Sequence, residues 1–97
     1  MVIEWLKFQV PAELAEAFIQ RDEEVWTAGL KKSPGFLGKE VWIEPEQKEV
    51  VLVIRWQTQD DWDAFPVEEG ERLDQAMGEL RMPIIESRRY LIRKFNH

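Results

Sequence analysis

Cysteine is absent from this sequence, and histidine occurs once, at His97. Without cysteine the chain can form no disulfide, no thiolate metal site and no cysteine nucleophile. The one histidine is the final residue, so we expect no serine–histidine–aspartate triad, and a single histidine cannot form a histidine-rich zinc site. We therefore expect no metal, no specifically bound haem and no other cofactor. His97 receives no role, because terminal residues usually fray in solvent.

Long apolar runs and an excess of positive charge are also missing. The longest unbroken apolar run, Val50 to Ile54, is far too short to cross a membrane. The net charge is -6, and an acidic chain is a poor partner for nucleic acid, because that binding depends on neutralising phosphates. No secretory signal pattern is visible near Met1. We therefore expect a cytoplasmic protein without nucleic-acid or membrane partners.

The most informative stretch is Pro34 to Trp56, which is typical of a β-hairpin. Segments rich in β-branched and aromatic residues, 36–44 and 49–56, flank a short polar loop at 45–48. This loop length predicts the following cross-strand pairs: Glu44 with Glu49, Trp42 with Val51, and Glu40 with Val53.

The two faces of this hairpin differ in composition. One face is apolar apart from Lys39 and is expected to lie under helices; it carries Leu37, Val41, Ile43, Val50, Leu52, Ile54 and Trp56. The other face combines large apolar residues with an acid and a base; it carries Phe36, Gly38, Glu40, Trp42, Val51, Val53, Arg55 and Gln57. That second face is too apolar for open water, so it indicates a semi-buried cavity or an interface.

Strand and helix patterns flank the hairpin on both sides. Residues 2–10 predict a first strand, although alternation does not decide which of its faces points inward. A helix is predicted from Pro11 to the Ser33-Pro34-Gly35 stop. After the hairpin, one short helix begins at the N-cap Thr58 and another runs over residues 67–81. Residues 84–95 alternate again and predict the last strand.

The order strand, helix, strand, strand, helix, strand predicts a ferredoxin-like α+β fold. In that fold an antiparallel four-stranded sheet carries its helices on one face. We expect one domain over residues 1–97. Because the second hairpin face would be an exposed apolar patch in a monomer, we also expect a homodimer in which two sheets meet face to face.

Several segments resemble the dimeric α+β barrel superfamily that contains the antibiotic-biosynthesis-monooxygenase-like domains. A narrower set of motifs is similar to a family of equally short bacterial proteins common in cyanobacteria. The segments are IEWLKF at 3–8, Asp22 with Trp26, PGFLGKEVW at 34–42, VIRW at 53–56, and Trp62. The link to the monooxygenases themselves depends on the element order and on the WQTQD start of the second helical region at 56–60.

This resemblance implies a homodimer with a pocket between sheet and helices. In the superfamily's enzymes it implies either cofactor-independent oxygenation of aromatic substrates or haem degradation. The haem branch ligates iron with a histidine that this sequence lacks between Val67 and Arg81, and the second tryptophan of that branch corresponds here to Phe65. The quinone-forming branch mainly uses Trp, Tyr, Asn and Arg, and Trp42, Arg55 and Tyr90 can supply three of these four residue types.

The hairpin's mixed face is the first candidate for a ligand site. A cation and an anion beside a large aromatic side chain could orient a planar aromatic or anionic molecule. The candidate residues are Trp42, Arg55, Glu40 and Phe36, joined by Arg89 or Tyr90 from the last strand. The alternative for Glu40 and Arg55 is an ordinary cross-strand ion pair.

A second candidate site lies on the first predicted helix. Asp22 shares a helical stripe with Phe18 and Trp26, and a carboxylate among apolar neighbours is a candidate general base with a raised pKa. The alternative is that Asp22 caps a backbone group or pairs with a lysine. No catalytic residue is assigned.

Two functions therefore remain open. The chain is either a non-catalytic dimer that binds a small planar aromatic molecule or serves structurally, or a cofactor-independent monooxygenase acting on an aromatic substrate. An open, partly polar cavity would favour a ligand, whereas a cavity plugged by Trp42 would favour a structural role.

Overall fold

The computed structural model describes residues 1–46 and 49–96. The predicted loop positions Gln47 and Lys48, together with His97, lie outside the described residues. The strands form one antiparallel sheet in the order β2-β3-β1-β4. The strands are β1 Val2–Gln9, β2 Phe36–Ile43, β3 Glu49–Trp56 and β4 Ile84–Leu91. This order, with helices in the connections on one face, confirms the predicted ferredoxin-like fold.

The connection between β1 and β2 is helical but not uniformly α-helical. A 3-10 turn at Ala12–Leu14 follows Pro11, and α1 Ala15–Asp22 then passes into a π-helical segment, Glu23–Thr27, before α2 Ala28–Leu30. The sequence predicts a helix here, but it does not predict the π-helical segment. Such segments often lie at functional sites, because they change the direction in which side chains project.

The connection between β3 and β4 contains two further helices, as predicted. The first, α3 Gln59–Asp63, begins at the N-cap Thr58, whose hydroxyl accepts a hydrogen bond from the backbone N–H of Asp61 at 3.1 Å. The second, α4 Val67–Ala76, is followed by a 3-10 turn at Gly78–Leu80. No helix in residues 1–46 and 49–96 has the length and apolar character needed to cross a membrane.

The main core lies between the helices and one face of the sheet, here called the helix face. The central strand β3 contributes buried Val50, Leu52, Ile54 and Trp56 to this face. The helical connections cover them with buried Phe18, Leu30, Leu73 and Met77. Alternation along β3 therefore produces the apolar, helix-covered surface that the sequence predicts. The same prediction is wrong for Leu37, Val41 and Ile43 of the edge strand β2, which are 48%, 38% and 47% exposed.

The hairpin register agrees with the sequence over most of its length. Trp42 pairs with Val51 and Glu40 with Val53, and the backbone N–H of Glu44 donates to the carbonyl of Glu49 at 3.0 Å. These pairs are confirmed.

The register changes at the start of β2, and there the predicted placement of Phe36 is wrong. A β-bulge between Phe36 and Gly38 places Phe36 opposite Trp56. Phe36 therefore packs on the helix face, with its ring edge-on to Trp56 and the ring centres 6.1 Å apart. One inserted residue is enough to move a side chain to the opposite face of a strand.

The other face of the sheet, here called the outer face, is only partly exposed. Ile3, Val51 and Val53 are buried there, and Trp5 and Ile92 pack against them. Trp42 and Tyr90 lie on this face with 49% and 46% of their surfaces exposed. The chain therefore covers part of its own apolar outer face.

Gly35 has a specific structural role just before β2. Its φ of 83° lies in the left-handed region, its carbonyl accepts a hydrogen bond from the N–H of Gln57 at 2.8 Å, and an added Cβ would overlap the Asp61 carboxyl group. We expect Gly35→Ala to lower the free energy of unfolding by roughly 1–3 kcal/mol, measured by urea denaturation.

Gly70→Ala provides a matched control for this substitution. A Cβ at Gly70 would meet Phe65 and Trp26 at an ordinary 3.8 Å, and alanine favours a helix interior over glycine by about 0.5–1 kcal/mol. Gly70→Ala should therefore be neutral or stabilising. Equal destabilisation by the two substitutions would contradict this explanation.

Candidate functional site

A cavity of about 930 Å³ lies between the helix face of the sheet and the helices. This helix-side cavity is large enough for a drug-sized molecule. The sheet lines it with Glu4, Leu6, Phe8, Lys39, Leu52, Ile54 and Trp56. The helical connections line it with Phe18, Asp22, Trp26, Trp62, Phe65, Gly70, Glu71, Asp74 and Met77, among others. It therefore combines aromatic walls with a small number of charged groups.

The aromatic wall is built around Phe65. The ring centre of Phe65 lies 6.3 Å from that of Trp26 and 6.5 Å from that of Trp56. Trp26 is held by the π-helical segment, Trp56 ends β3, and Phe65 lies between α3 and α4. Rings from three separate segments thus meet in one cavity, where they can contact a planar molecule.

A buried ion pair lies in the same cavity. Lys39 Nζ donates to Asp22 Oδ2 at 2.6 Å, and only 3% of each side chain is exposed. Burial raises the pKa of Asp22, and the positive charge of Lys39 opposes that rise. Burial likewise lowers the pKa of Lys39, and Asp22 opposes that change. Asp22 therefore pairs with a lysine, as one of the sequence alternatives predicts.

Glu4 is a second carboxylate in the cavity. The indole Nε1–H of Trp56 donates to Glu4 Oε1 at 3.1 Å. Burial raises the pKa of Glu4, while the hydrogen bond from Trp56 and the charge of Lys39 oppose the rise. A carboxyl group with a raised pKa is suited to accepting or holding a proton in a partly dewatered site.

The remaining charged lining residues include an ion pair on the helical side. Arg81 Nε lies 2.7 Å from Asp74 Oδ2, with both side chains partly exposed. Glu71 also lines the cavity. This side of the cavity is more exposed than the region around Asp22 and Lys39.

The outer-face candidates lie outside the helix-side cavity. Arg55 Nη2 lies 3.3 Å from Glu40 Oε1, and their side chains are 37% and 50% exposed. Trp42 and Tyr90 are half exposed on the same face, and the Tyr90 hydroxyl accepts a hydrogen bond from Arg88 Nη1 at 3.4 Å. The Glu40–Arg55 contact is an exposed cross-strand ion pair, and pairs of this kind stabilise a fold only weakly.

Two of the outer-face candidates lie on the opposite face of the sheet. Phe36 packs against Trp56, as described above. Arg89 pairs in register with Glu4, which puts it on the helix face, and its Nη1 donates to Gln59 Oε1 at 3.3 Å. The predicted grouping of these two residues with Trp42 and Arg55 is therefore wrong.

The sequence analysis does not identify Glu4 or Lys39 as site residues. Glu4 lies on the same face of β1 as Leu6 and Phe8. An acid on this apolar face is the sequence signal that could identify Glu4 as a site residue. Lys39 is the one charge that interrupts the apolar face of the hairpin. Neither signal shows that these residues lie together, because that depends on how β1, β3 and β2 align.

The charged groups do not form a metal centre. Across residues 1–46 and 49–96, no group of His, Cys, Asp and Glu side chains is arranged to hold a metal ion. The polar side chains that line the cavity are instead four carboxylates, one lysine, one arginine, one serine and three tryptophans. This set is suited to hydrogen bonding and proton transfer.

Known proteins share both sequence pattern and fold with this chain. A sequence model described as antibiotic biosynthesis monooxygenase matches residues 1–66. No curated protein sequence matches the chain. A monooxygenase of Streptomyces coelicolor, in complex with nanaomycin D, has a similar structure with a TM-score of 0.81 and 14% identity, over 99% of this chain and 90% of that one.

Two further solved structures have the same fold. The cofactor-independent oxygenase SnoaB of Streptomyces nogalater is 16% identical with a TM-score of 0.71, over 97% of this chain and 94% of that one. The heme-degrader MhuD of Mycobacterium tuberculosis, with two hemes bound in its active site, is 17% identical with a TM-score of 0.75, over 100% of both chains. Similarity at these identities establishes the fold alone.

The raised pKa of Glu4 makes a specific prediction about pH. Because its pKa is raised from the ordinary value of 4.5, the folded state holds this proton more tightly than the unfolded chain. The contribution of Glu4 to the free energy of unfolding is fully present below the pKa that Glu4 has in the unfolded chain. It is lost as the pH rises through the pKa that Glu4 has in the folded state. We expect the free energy of unfolding of Glu4→Gln, relative to wild type, to increase with pH above 4.5 in urea titrations.

Glu69→Gln is a control with the opposite sign. The hydrogen bond from Arg72 lowers the pKa of Glu69, so the stability from Glu69 is present above its unfolded pKa and is lost on acidification. The relative free energy of unfolding of Glu69→Gln should therefore decrease as pH rises. If the free energy of unfolding of Glu4→Gln relative to wild type stays constant or falls as pH rises, Glu4 is not a desolvated carboxyl group with a raised pKa.

Proposed function

The chain belongs to the antibiotic biosynthesis monooxygenase family, and from that premise we propose that it binds a small planar aromatic molecule in the helix-side cavity and oxidises it with molecular oxygen. The observation that carries this proposal is the juxtaposition of the buried Asp22 and the half-buried Glu4 with an aromatic wall in one cavity of about 930 Å³. This arrangement supplies both binding and proton transfer.

Binding would depend on the aromatic wall. A flat ring system that enters beside Trp26 and Phe65 replaces water with offset or edge-on ring contacts, each worth about 0.5–1.5 kcal/mol beyond burial of area. Gly70 lies beside these rings, because a Cβ there would be in ordinary van der Waals contact with Phe65 and Trp26 at 3.8 Å. Room for a methyl group is therefore present at this position, whereas a longer side chain would extend along the rings.

Chemistry would begin with removal of a proton from the bound molecule. Glu4 is the preferred acceptor, since Asp22 already pairs with Lys39 at 2.6 Å. Loss of an acidic proton leaves an electron-rich anion that can pass electrons to O₂. For an activated methylene group the balance is R₂CH₂ + O₂ → R₂C=O + H₂O: the carbon is oxidised, one oxygen atom enters the carbonyl group, and the other leaves as water.

Binding without oxidation is the second candidate function. The observation that favours it is the Asp22–Lys39 pair, in which both charges are already satisfied. A structural pair of this kind perturbs pKa values without taking part in catalysis. Oxygen consumption distinguishes the two functions, because a binding protein retains the ligand unchanged.

We also propose that the protein is a cytoplasmic homodimer joined through the outer faces of its sheets. The support is the half-exposed Trp42 and Tyr90 on that face, beside the buried Val51 and Val53. The resemblance to the narrower family of short bacterial proteins common in cyanobacteria stays a prediction.

A longer side chain at Gly70 tests the proposed site. Nanaomycin D and simple naphthols serve as binding probes, followed by quenching of tryptophan fluorescence, and anthrone, which has an activated methylene group, serves as the turnover probe with an oxygen electrode. We expect Gly70→Leu to abolish both signals, because the side chain occupies the space beside Trp26 and Phe65, and Gly70→Ala to retain them. Signals that survive Gly70→Leu and are lost in Trp42→Leu would place the site on the outer face instead.

Light scattering tests the proposed dimer. The chain mass is 11.6 kDa, so we expect a particle of about twice that mass at micromolar concentration. Trp42→Glu adds a charge to the proposed contact and should produce monomers. A wild-type protein that is strictly monomeric would contradict the dimer without affecting the helix-side cavity.

A further inference from the structure

We propose that the helix-side cavity selects aromatic molecules that carry a positively charged nitrogen, whose N–H group binds the Glu4 carboxylate. This inference rests on the proposed function, since it names the class of molecule that the same cavity takes. It is carried by the distribution of charge around the cavity and by the hydrogen bonding of Glu4.

More acidic than basic residues line the cavity. The acids are Glu4, Asp22, Glu71 and Asp74, and the bases are Lys39 and Arg81. Each base already has an acidic partner: Lys39 pairs with Asp22 at 2.6 Å, and Arg81 pairs with Asp74 at 2.7 Å. Within the described part of the chain, this leaves Glu4 and Glu71 as lining acids without an ion-pair partner.

Of these two acids, Glu4 is half-buried and Glu71 is exposed. The one hydrogen-bond donor to Glu4 among the described residues is the Trp56 indole N–H, a neutral group, which contacts Oε1 at 3.1 Å. Lys39 is close enough to attract Glu4 electrostatically, but its ammonium group donates to Asp22. The second carboxylate oxygen of Glu4 is therefore available to a donor from a ligand, and a charged donor would form the stronger bond.

Arg89 does not neutralise Glu4. It lies opposite Glu4 in the register of β1 and β4, yet its side chain is exposed and donates to Gln59 at 3.3 Å. It is also not among the residues that line the cavity. The nearest cation on β4 is thus directed toward α3 rather than toward the Glu4 carboxylate.

The aromatic wall favours the same class of molecule. Trp26, Trp62 and Phe65 line the cavity beside these acids, and the faces of aromatic rings attract cations, most strongly in desolvated sites. A cavity with low-dielectric walls and an excess of one charge also raises the local concentration of oppositely charged solutes. An anionic guest would meet unpaired carboxylates and no free lysine or arginine among the described lining residues.

Three probes that share the anthracene ring test this preference: anthracenylmethylammonium, anthracenemethanol and anthracenecarboxylate. Binding is measured by tryptophan fluorescence quenching and calorimetry at neutral pH. We expect the ammonium probe to bind about tenfold more tightly than the alcohol, because a hydrogen bond to a charged group is stronger, and the carboxylate to bind weakest. Equal affinity of ammonium and alcohol, or tightest binding of the carboxylate, would overturn the proposal.

Variants connect the preference to Glu4. Glu4→Gln should remove most of the roughly tenfold advantage of the ammonium probe over the alcohol, because the amide carries no charge. The exposed Glu68→Gln should alter neither affinity. A Glu4→Gln protein that keeps the full ammonium preference would overturn the assignment. If thermal melting shows that Glu4→Gln does not fold, the wild-type order of the three probes tests the charge preference, and loss of that preference in Glu71→Gln would overturn the assignment to Glu4.

The same experiment separates this inference from the proposed function. Binding of the alcohol that Gly70→Leu abolishes supports the cavity as the ligand site, whatever the charge preference. Binding of the alcohol with no gain for the ammonium probe overturns the charge preference alone. Failure of all three probes to bind overturns both.

Discussion

The buried contact between Asp22 and Lys39 is the constraint on which the rest of the site depends. It joins the last residue of α1 to the middle of β2, at 2.6 Å, with both side chains almost fully buried. Removing either partner would leave a charge buried alone, at a cost of about 3–5 kcal/mol. The helical layer is thereby tied to an edge strand at one point, and the space beside this contact remains open as the helix-side cavity.

The sheet register determines which groups share that space. Lys39 pairs with Ile54, and Ile54 pairs with Glu4, so one row across the helix face carries a cation, an aliphatic side chain and an acid. Trp56, one position further along the same face of β3, reaches back to hydrogen-bond Glu4. Glu4 and Lys39 thus act on one cavity although they lie far apart in the sequence.

Much of the fold could be predicted from the sequence because its signals are local. Alternation in the hairpin, the N-cap at Thr58 and the prolines near the helix ends define the elements, and their order defines the ferredoxin-like topology. The pairing of Trp42 with Val51 follows from loop length. The position of Phe36 could not be predicted in this way, because a bulge inserts one residue without an obvious sequence signal and moves the side chain to the other face.

The candidate site was harder to predict because its contacts are not local. The apolar composition of β1 on both faces leaves the direction of Glu4 undecided until β3 and β4 are in place. The mixed composition of the hairpin's outer face favours Arg55 and Glu40 as site residues, but in the structure they form an exposed pair. In the sequence, Lys39 is a single charge on an otherwise apolar face. Only the position of α1 in the structure shows that Asp22 is its partner.

A structure of the protein with anthracenylmethylammonium bound tests the central claim most directly, because it shows which face of the sheet is used. The account predicts the ring system beside Trp26 and Phe65 and the nitrogen within hydrogen-bonding distance of the Glu4 carboxylate. A molecule bound on the outer face, against Trp42 and Arg55, with the helix-side cavity filled only by water, would contradict it.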